Sequence, residues 1–101
     1  MSAPSTKYNG WTNYETWNVK LWLDNNQGDQ KHMLELASDD TLTTYEVAQR
    51  IKAEIEEAAE MWMSDQASMF ADLLNSALSE VNWYEIAQSY IDDALENAET
   101  E

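Results

Sequence analysis

Short capping motifs divide this chain into helices. Thr12–Glu15 and Thr43–Glu46 each fit a capping box, and Asn82 stands three residues before Glu85 in a similar arrangement. In a capping box the first side chain accepts a hydrogen bond from an amide of the first turn, and the glutamate accepts one from the amide of the capping residue. The motifs therefore predict helices that begin near residues 13, 44 and 83.

Apolar residues recur at helical spacing after each predicted start. In the first helix, Tyr14, Trp17 and Leu21 share one face, and we expect Trp17 and Trp22 to pack internally. The faces predicted to line the core in the later helices are Val47, Ile51, Ile55, Ala58 and Trp62, then Met69, Phe70, Leu73, Leu74, Ala77 and Leu78, and then Ile86, Ala87, Tyr90, Ile91, Ala94 and Ala98.

The breaks between helices are also marked. Asn25–Gly28 is predicted to stop the first helix, Asp29 to open a second that runs to about Ala37, and Ser64 or Asp65 to cap the fourth. A small hairpin from Lys7 to Trp11, or one around Thr41, is an alternative local structure. Two glycines and one proline in 101 residues argue against a turn-rich β fold.

These signals predict an all-α, or nearly all-α, protein. We expect a compact bundle of four to five short helices, because short connections favour antiparallel neighbours. Residues 1–7 are expected to form a flexible tail and residues 8–101 a single acidic domain.

Charge is distributed unevenly along the chain. Twenty acidic residues against five basic ones give a net charge of −15. Residues 1–52 hold seven acids and all five bases, for a net charge of −2, whereas residues 53–101 hold thirteen acids and no base, for −13. Such a field repels nucleic acids and anionic membranes and attracts basic protein surfaces. We therefore expect no direct binding of nucleic acid or membrane.

The acids of the third and fifth helices fall opposite their apolar stripes, together with Glu46 and Glu85. Their density resembles that of a DNA strand, which carries one phosphate about every 3.4 Å. A solvated helix face that serves solubility is the alternative interpretation. The residues predicted to bind a partner are Glu54, Glu56, Glu57, Glu60, Asp65, Asp92, Asp93, Glu96 and Glu99.

Five large aromatic residues lie between Tyr8 and Trp22. The run Tyr8–Val19, followed by Leu21–Asn25, resembles the opening of a family of small uncharacterised proteins of phages, plasmids and other mobile elements. The resemblance covers about residues 8–27 and implies that genomic setting, without carrying over any functional residue. In charge and size the chain is similar to acidic counter-defence proteins, including anti-CRISPR and anti-restriction inhibitors, several of which mimic DNA.

Chemical signatures of other functions are weak. Cysteine is absent, and the single histidine, His32, has no Cys or His partner for zinc. The stretch Asp24–Glu35 approaches a calcium loop, but Gly28 and Asp29 occupy each other's positions in that motif. We therefore expect no cofactor, no metal and no enzymatic activity, although a metal-dependent enzyme or calcium module is a minor alternative.

The sequence thus favours a phage-type inhibitor in the cytoplasm of a bacterial host. Its expected partner is the basic surface of a host nucleic-acid-binding defence factor, with Trp62, Trp83, Tyr8, Trp11 or Tyr84 as aromatic contacts. The alternative is a structural or regulatory accessory protein of a phage or plasmid. In that case Met61, Met63 and Met69 around Trp62 would form the apolar contact of a homodimer.

Overall fold

A computed structural model of the protein describes residues 8–63 and 69–99, with side chains as far as residue 97. Five helices follow one another: α1 (Tyr14–Asn25), α2 (Gln27–Ala37), α3 (Thr44–Met63), α4 (Met69–Ser79) and α5 (Trp83–Glu99). The predicted all-α bundle of four to five helices is confirmed.

Helix α5 is the centre of the bundle. It packs most extensively against α3 and also against α2 and α1. The contact is built from residues that are almost fully buried, among them Val47 and Ile51 of α3 and Ile86, Ala87 and Tyr90 of α5. All five were predicted to face the core, so periodicity identified the principal interface of the molecule.

Two helix starts follow the predicted capping chemistry. The Glu46 amide donates to Thr43 Oγ1 at 3.1 Å, and the Thr43 amide donates to Glu46 Oε1 at 2.9 Å. At the start of α5, the Glu85 amide donates to Asn82 Oδ1 at 3.1 Å.

The predicted box at Thr12 is wrong by one residue. Asn13 caps α1, because its Oδ1 accepts hydrogen bonds from the Thr16 amide at 2.9 Å and the Thr16 hydroxyl at 2.6 Å. Asparagine is as good a cap as threonine. The Thr12 amide instead donates to Glu85 Oε1 at 2.9 Å, which ties the start of α1 to α5.

The junction between α1 and α2 is tighter than predicted. Asn26 alone separates the helices, in an extended conformation, and its side chain accepts from the Asp29 amide at 3.0 Å. The cap therefore lies before Gln27, and Gly28 belongs to α2 instead of ending α1. The predicted cap of α4 at Ser64 or Asp65 lies outside the described residues.

The buried face of α1 was also predicted incorrectly. Thr16, Lys20 and Leu23 point into the bundle, whereas Tyr14 and Trp22 are exposed. The aromatic pattern was misleading because a lysine occupies the centre of the true inner face. Tyr14 instead joins Tyr8 and the partly buried Trp17 in an aromatic cluster with ring centroids 4.9–5.6 Å apart.

The charge of Lys20 is balanced within the fold. Its Nζ lies 2.7 Å from Asp24 Oδ2, and Asp24 Oδ1 accepts a hydrogen bond from the Tyr90 hydroxyl at 2.7 Å. The Lys20 ammonium also stands 4.4 Å from the centroid of the Tyr90 ring and 5.7 Å from that of Trp11. Burial, and then the Asp24 carboxylate, raise the pKa of Tyr90 well above its usual value. The tyrosine is therefore a neutral donor that links α5 to α1.

A two-residue turn precedes the helices. Tyr8 and Trp11 exchange both backbone hydrogen bonds at 2.7 Å, and Asn9 and Gly10 have positive φ angles of 49° and 89°. Two positive φ angles are the geometry of a tight hairpin turn, for which Asn-Gly is the favoured pair. The alternative hairpin at the start of the chain is thus present from Tyr8 to Trp11, whereas Thr41 lies in a turn closed by Asp39.

The hairpin of α3 and α4 extends beyond the core. Ala58 and Trp62 were predicted to be buried but are exposed. In this part of α3 it is Ala59 that packs against the core. In α4, Leu78 is buried, but Met69, Phe70 and Leu73 are exposed instead of internal. The apolar stripes of both helices therefore continue past the last residue that the bundle covers.

The link between Tyr90 and Asp24 predicts a stability effect. Tyr90→Phe leaves a partly buried carboxylate oxygen without its donor, so we expect the free energy of unfolding to fall by about 1–2 kcal/mol. Denaturant titration measures this change. Tyr84→Phe is the matched control, since Tyr84 is exposed, and equal effects of the two substitutions would contradict the assigned role.

Candidate protein-interaction surface

The acids of α3 form an exposed ridge. Glu56, Glu57 and Glu60 lie within an arc of about 100° on the side opposite Val47 and Ile51. Together they border an open groove between α3 and α4, whose apolar wall includes Leu74, Leu78 and Trp83. We call Glu56, Glu57 and Glu60 the α3 ridge.

Glu54 is separated from this ridge. Its side chain turns toward α2 and contacts His32, whose Nε2 lies 2.9 and 3.0 Å from the two carboxylate oxygens. His32 is exposed. The hydrogen bond to Glu54, reinforced by its negative charge, raises the pKa of His32 above 6.5.

The acids of α5 form a second ridge. Asp92, Asp93 and Glu96 are exposed, and Gln88 Nε2 donates to Asp92 Oδ1 at 3.1 Å. Asp92 and Asp93 border a shallow groove that Gly10, Trp11 and Tyr84 also line. We call Asp92, Asp93 and Glu96 the α5 ridge.

The structure separates the two ridges. Each faces away from the contact between α3 and α5, and each borders a different groove. One flat partner surface would therefore meet one ridge at a time. Of the other predicted binding residues, Asp65 lies outside the described residues and the side chain of Glu99 lies beyond the described side chains.

Other acids of these helices serve the fold. Glu46 completes the cap of α3, and Glu85 holds the Thr12 amide. Among residues 8–63 and 69–99, Lys20 pairs with Asp24 and His32 with Glu54. Neither pair involves a ridge residue, so the ridges keep their negative charge.

The aromatic residues predicted to contact a partner differ in their exposure. Trp83 is buried and Trp11 is half-buried, so both serve packing, whereas Trp62, Tyr84 and Tyr8 are exposed. Sequence reasoning missed the exposed apolar residues of α4, which it assigned to the core. The available signal was the length of the α3 stripe, which from Val47 to Trp62 spans more than four helical turns and exceeds what one small core covers.

Neither a metal-binding cluster nor a membrane-spanning helix occurs in the described residues. No group of three or more Asp, Glu, His or Cys side chains in these ranges is arranged to hold a metal ion. Asp24 is the first residue of the stretch that approaches a calcium loop, and its carboxylate oxygens already accept hydrogen bonds from Lys20 and Tyr90. Within the same ranges, no helix combines the length and hydropathy of a membrane-spanning segment.

Residues 4–100 match the model of a family of unknown function, DUF7249. The chain belongs to this family. No curated protein and no solved structure matches the chain. The two ridges of this DUF7249 member are therefore interpreted from their geometry and charge.

The contact between His32 and Glu54 predicts a titration. Because the pKa of His32 is raised in the folded state, the pair's contribution to stability is fully present below the unfolded pKa and is lost as pH rises through the folded pKa. NMR titration of the imidazole should give a pKa above 6.5, and Glu54→Gln should lower it. Glu56→Gln is the matched control. An unchanged pKa in Glu54→Gln would show that the contact does not form in solution.

Proposed function

We propose that this protein is an acidic inhibitor that occupies the basic surface of a nucleic-acid-binding protein. The observation that carries the proposal is the pair of exposed ridges, which present six acids without a basic partner in the described structure. A surface of this kind attracts a basic partner from a distance and speeds association.

The spacing of the acids supports mimicry of a nucleic-acid backbone. Glu56, Glu57 and Glu60 place three charges along about 6 Å of helix axis. A DNA strand carries a phosphate about every 3.4 Å. An acidic helix edge can therefore meet lysines and arginines that otherwise bind phosphates.

Helix stability does not account for these charges. The pairs Glu56/Glu60 and Asp92/Glu96 are like-charged at a spacing of four residues, which costs about 0.2–0.5 kcal/mol each. Lys52, which stands four residues before Glu56 and borders the same groove, offsets only part of this cost. The fold uses other acids for capping. The fold therefore does not depend on the acids of the two ridges, as expected of a surface that binds a partner.

The proposed partner is a defence factor of a bacterial host, such as a restriction nuclease or a CRISPR effector complex. The resemblance of residues 8–27 to proteins of mobile elements motivates this choice, since such elements encounter these factors. Inhibition in the host cytoplasm, of the anti-restriction or anti-CRISPR type, is the resulting proposal.

Capture of host proteins by the tagged full-length chain tests the proposal. We expect a nucleic-acid-binding protein to be recovered at low salt and lost at moderate salt, because screening weakens attraction between exposed charges. Recovery that does not depend on salt, or recovery of proteins without a basic surface, would contradict the proposal.

Charge-neutral variants then identify the ridge. The charge of the α3 ridge is removed in the triple variant Glu56→Gln/Glu57→Gln/Glu60→Gln. The charge of the α5 ridge is removed in the triple variant Asp92→Asn/Asp93→Asn/Glu96→Gln. We expect one of these two variants to bind the partner about tenfold more weakly. The matched control, Glu35→Gln/Asp72→Asn/Glu80→Gln, removes three exposed acids elsewhere. Equal binding by all three variants in a titration would refute a role for the ridges.

A further inference from the structure

The groove between α3 and α4 has two walls of different chemistry. Along α3 it is edged by Glu56, Glu57 and Glu60, the α3 ridge. Among the described residues that line it, Lys52 is the only base, and it also stands on α3. The residues that line it from α4 are all uncharged, and they are Ala71, Leu74, Asn75, Leu78 and Ser79. The charge therefore lies along one edge of this surface, which we call the α3–α4 groove.

The floor of the α3–α4 groove is the edge of the hydrophobic core. Leu78, Val81 and Trp83 line it, and each of these core residues is 7–9 % exposed. Helix α4 packs against α3 much less extensively than α5 does, so the core is left open on this side. A partner that enters the groove therefore meets apolar side chains below it and carboxylates on one flank.

The α4 wall is held in place from its C-terminal end. The Asn82 amide, which follows α4, donates to Thr16 Oγ1 at 2.8 Å. Asn13 Nδ2 donates to the Glu80 carbonyl oxygen at 2.7 Å. These two bonds join the end of α4 to the start of α1, so the wall that carries Leu78 belongs to the folded bundle and the groove exists before a partner arrives.

The dimensions of the α3–α4 groove fit one short helix. Its lining residues run from Lys52 to Met63 on α3, which is about 17 Å, and from Ala71 to Ser79 on α4, which is about 12 Å. A helix of three turns is about 16 Å long. Both walls are helices, whose backbone groups are bonded within each helix, so they offer no edge to which an extended peptide could add a strand. The surface suits the other common mode, in which an amphipathic helix lays its apolar face into an apolar groove.

The charges of the groove determine the flanks of such a helix. Glu56 and Glu60 stand one helical turn apart, about 6 Å along the axis. Lysines or arginines at positions i and i+4 of a neighbouring helix have the same spacing, so one basic flank can pair with both carboxylates. The opposite flank faces the uncharged α4 wall. We propose that the α3–α4 groove binds an amphipathic helix of the partner, with an apolar face and a row of lysines or arginines along one flank.

This inference rests on the proposed function in taking the partner to be basic, and it adds the form of the element that makes contact. Many DNA-binding proteins present a helix to the DNA, and lysine and arginine side chains supply many of their phosphate contacts. The two proposals can fail separately. A chain that captures a basic host protein but binds no amphipathic helix would overturn the inference alone.

Titration with a synthetic peptide tests the inference without the host partner. The probe is a fluorescent peptide of about 14 residues, or four helical turns, made of leucine, alanine and lysine, with leucines on one face and lysines at i and i+4 along one flank. The comparison peptide has the same composition in an order that is not amphipathic. We expect the full chain to bind the probe saturably and at least about tenfold more tightly than the comparison peptide. Equal binding of the two peptides, or no binding, would overturn the inference.

Two matched variants locate the contact. Asn75 is exposed and lines the α3–α4 groove, whereas Ser76, also exposed, lies on α4 outside it. Asn75→Trp should fill the groove and weaken binding of the probe at least about tenfold, while every acid and every core residue stays the same. Ser76→Trp should bind like the unchanged chain. Binding that survives Asn75→Trp, or that both variants weaken equally, would overturn the assignment. Circular dichroism shows whether each variant is folded.

Discussion

The Asp24 carboxylate, shared between Lys20 and Tyr90, is the interaction on which the arrangement of the helices depends. It allows a lysine to occupy the inner face of α1 and a tyrosine to be fully buried in α5. Each of the three polar groups would be costly to bury without the others. This contact sets the position of α1 against α5, the central helix, which also packs on α2 and α3. The hydrogen bond from the Thr12 amide to Glu85 reinforces the same arrangement.

Two groups of acids in the described residues have different roles. Asp24, Glu46 and Glu85 hold helices and helix ends together. The six residues of the α3 and α5 ridges are exposed, and all but Glu96 border open grooves. Among them, Glu56/Glu60 and Asp92/Glu96 are like-charged pairs that oppose helix formation. This division separates the fold from the surface: the ridges can change charge while the core stays the same. The proposed inhibitor function rests on the second group.

The sequence predicted what short-range chemistry decides. The caps at Thr43 and Asn82 and the α3–α5 interface follow from local patterns, and so does the outward position of the ridge acids. The failures have physical causes. The inner face of α1 carries Lys20. Its pairing with Asp24 is local, but the Tyr90 ring that covers it is 70 positions away, so no local pattern predicts that this lysine is buried. Trp62 and Phe70 continue apolar stripes beyond the core, and periodicity does not reveal where the core ends. The separation of the two ridges depends on tertiary packing, which is also beyond a single helix pattern.

Competition for a captured nucleic-acid-binding partner tests the central claim most directly. The partner would be loaded with a fluorescent DNA duplex, and anisotropy would be followed as the protein is added. If the acidic surface occupies the site of the nucleic-acid backbone, the DNA is released, and higher salt moves the release to higher protein concentration. If the partner holds the protein and the DNA at the same time, with anisotropy that does not fall, the acidic surface does not act as a substitute for nucleic acid.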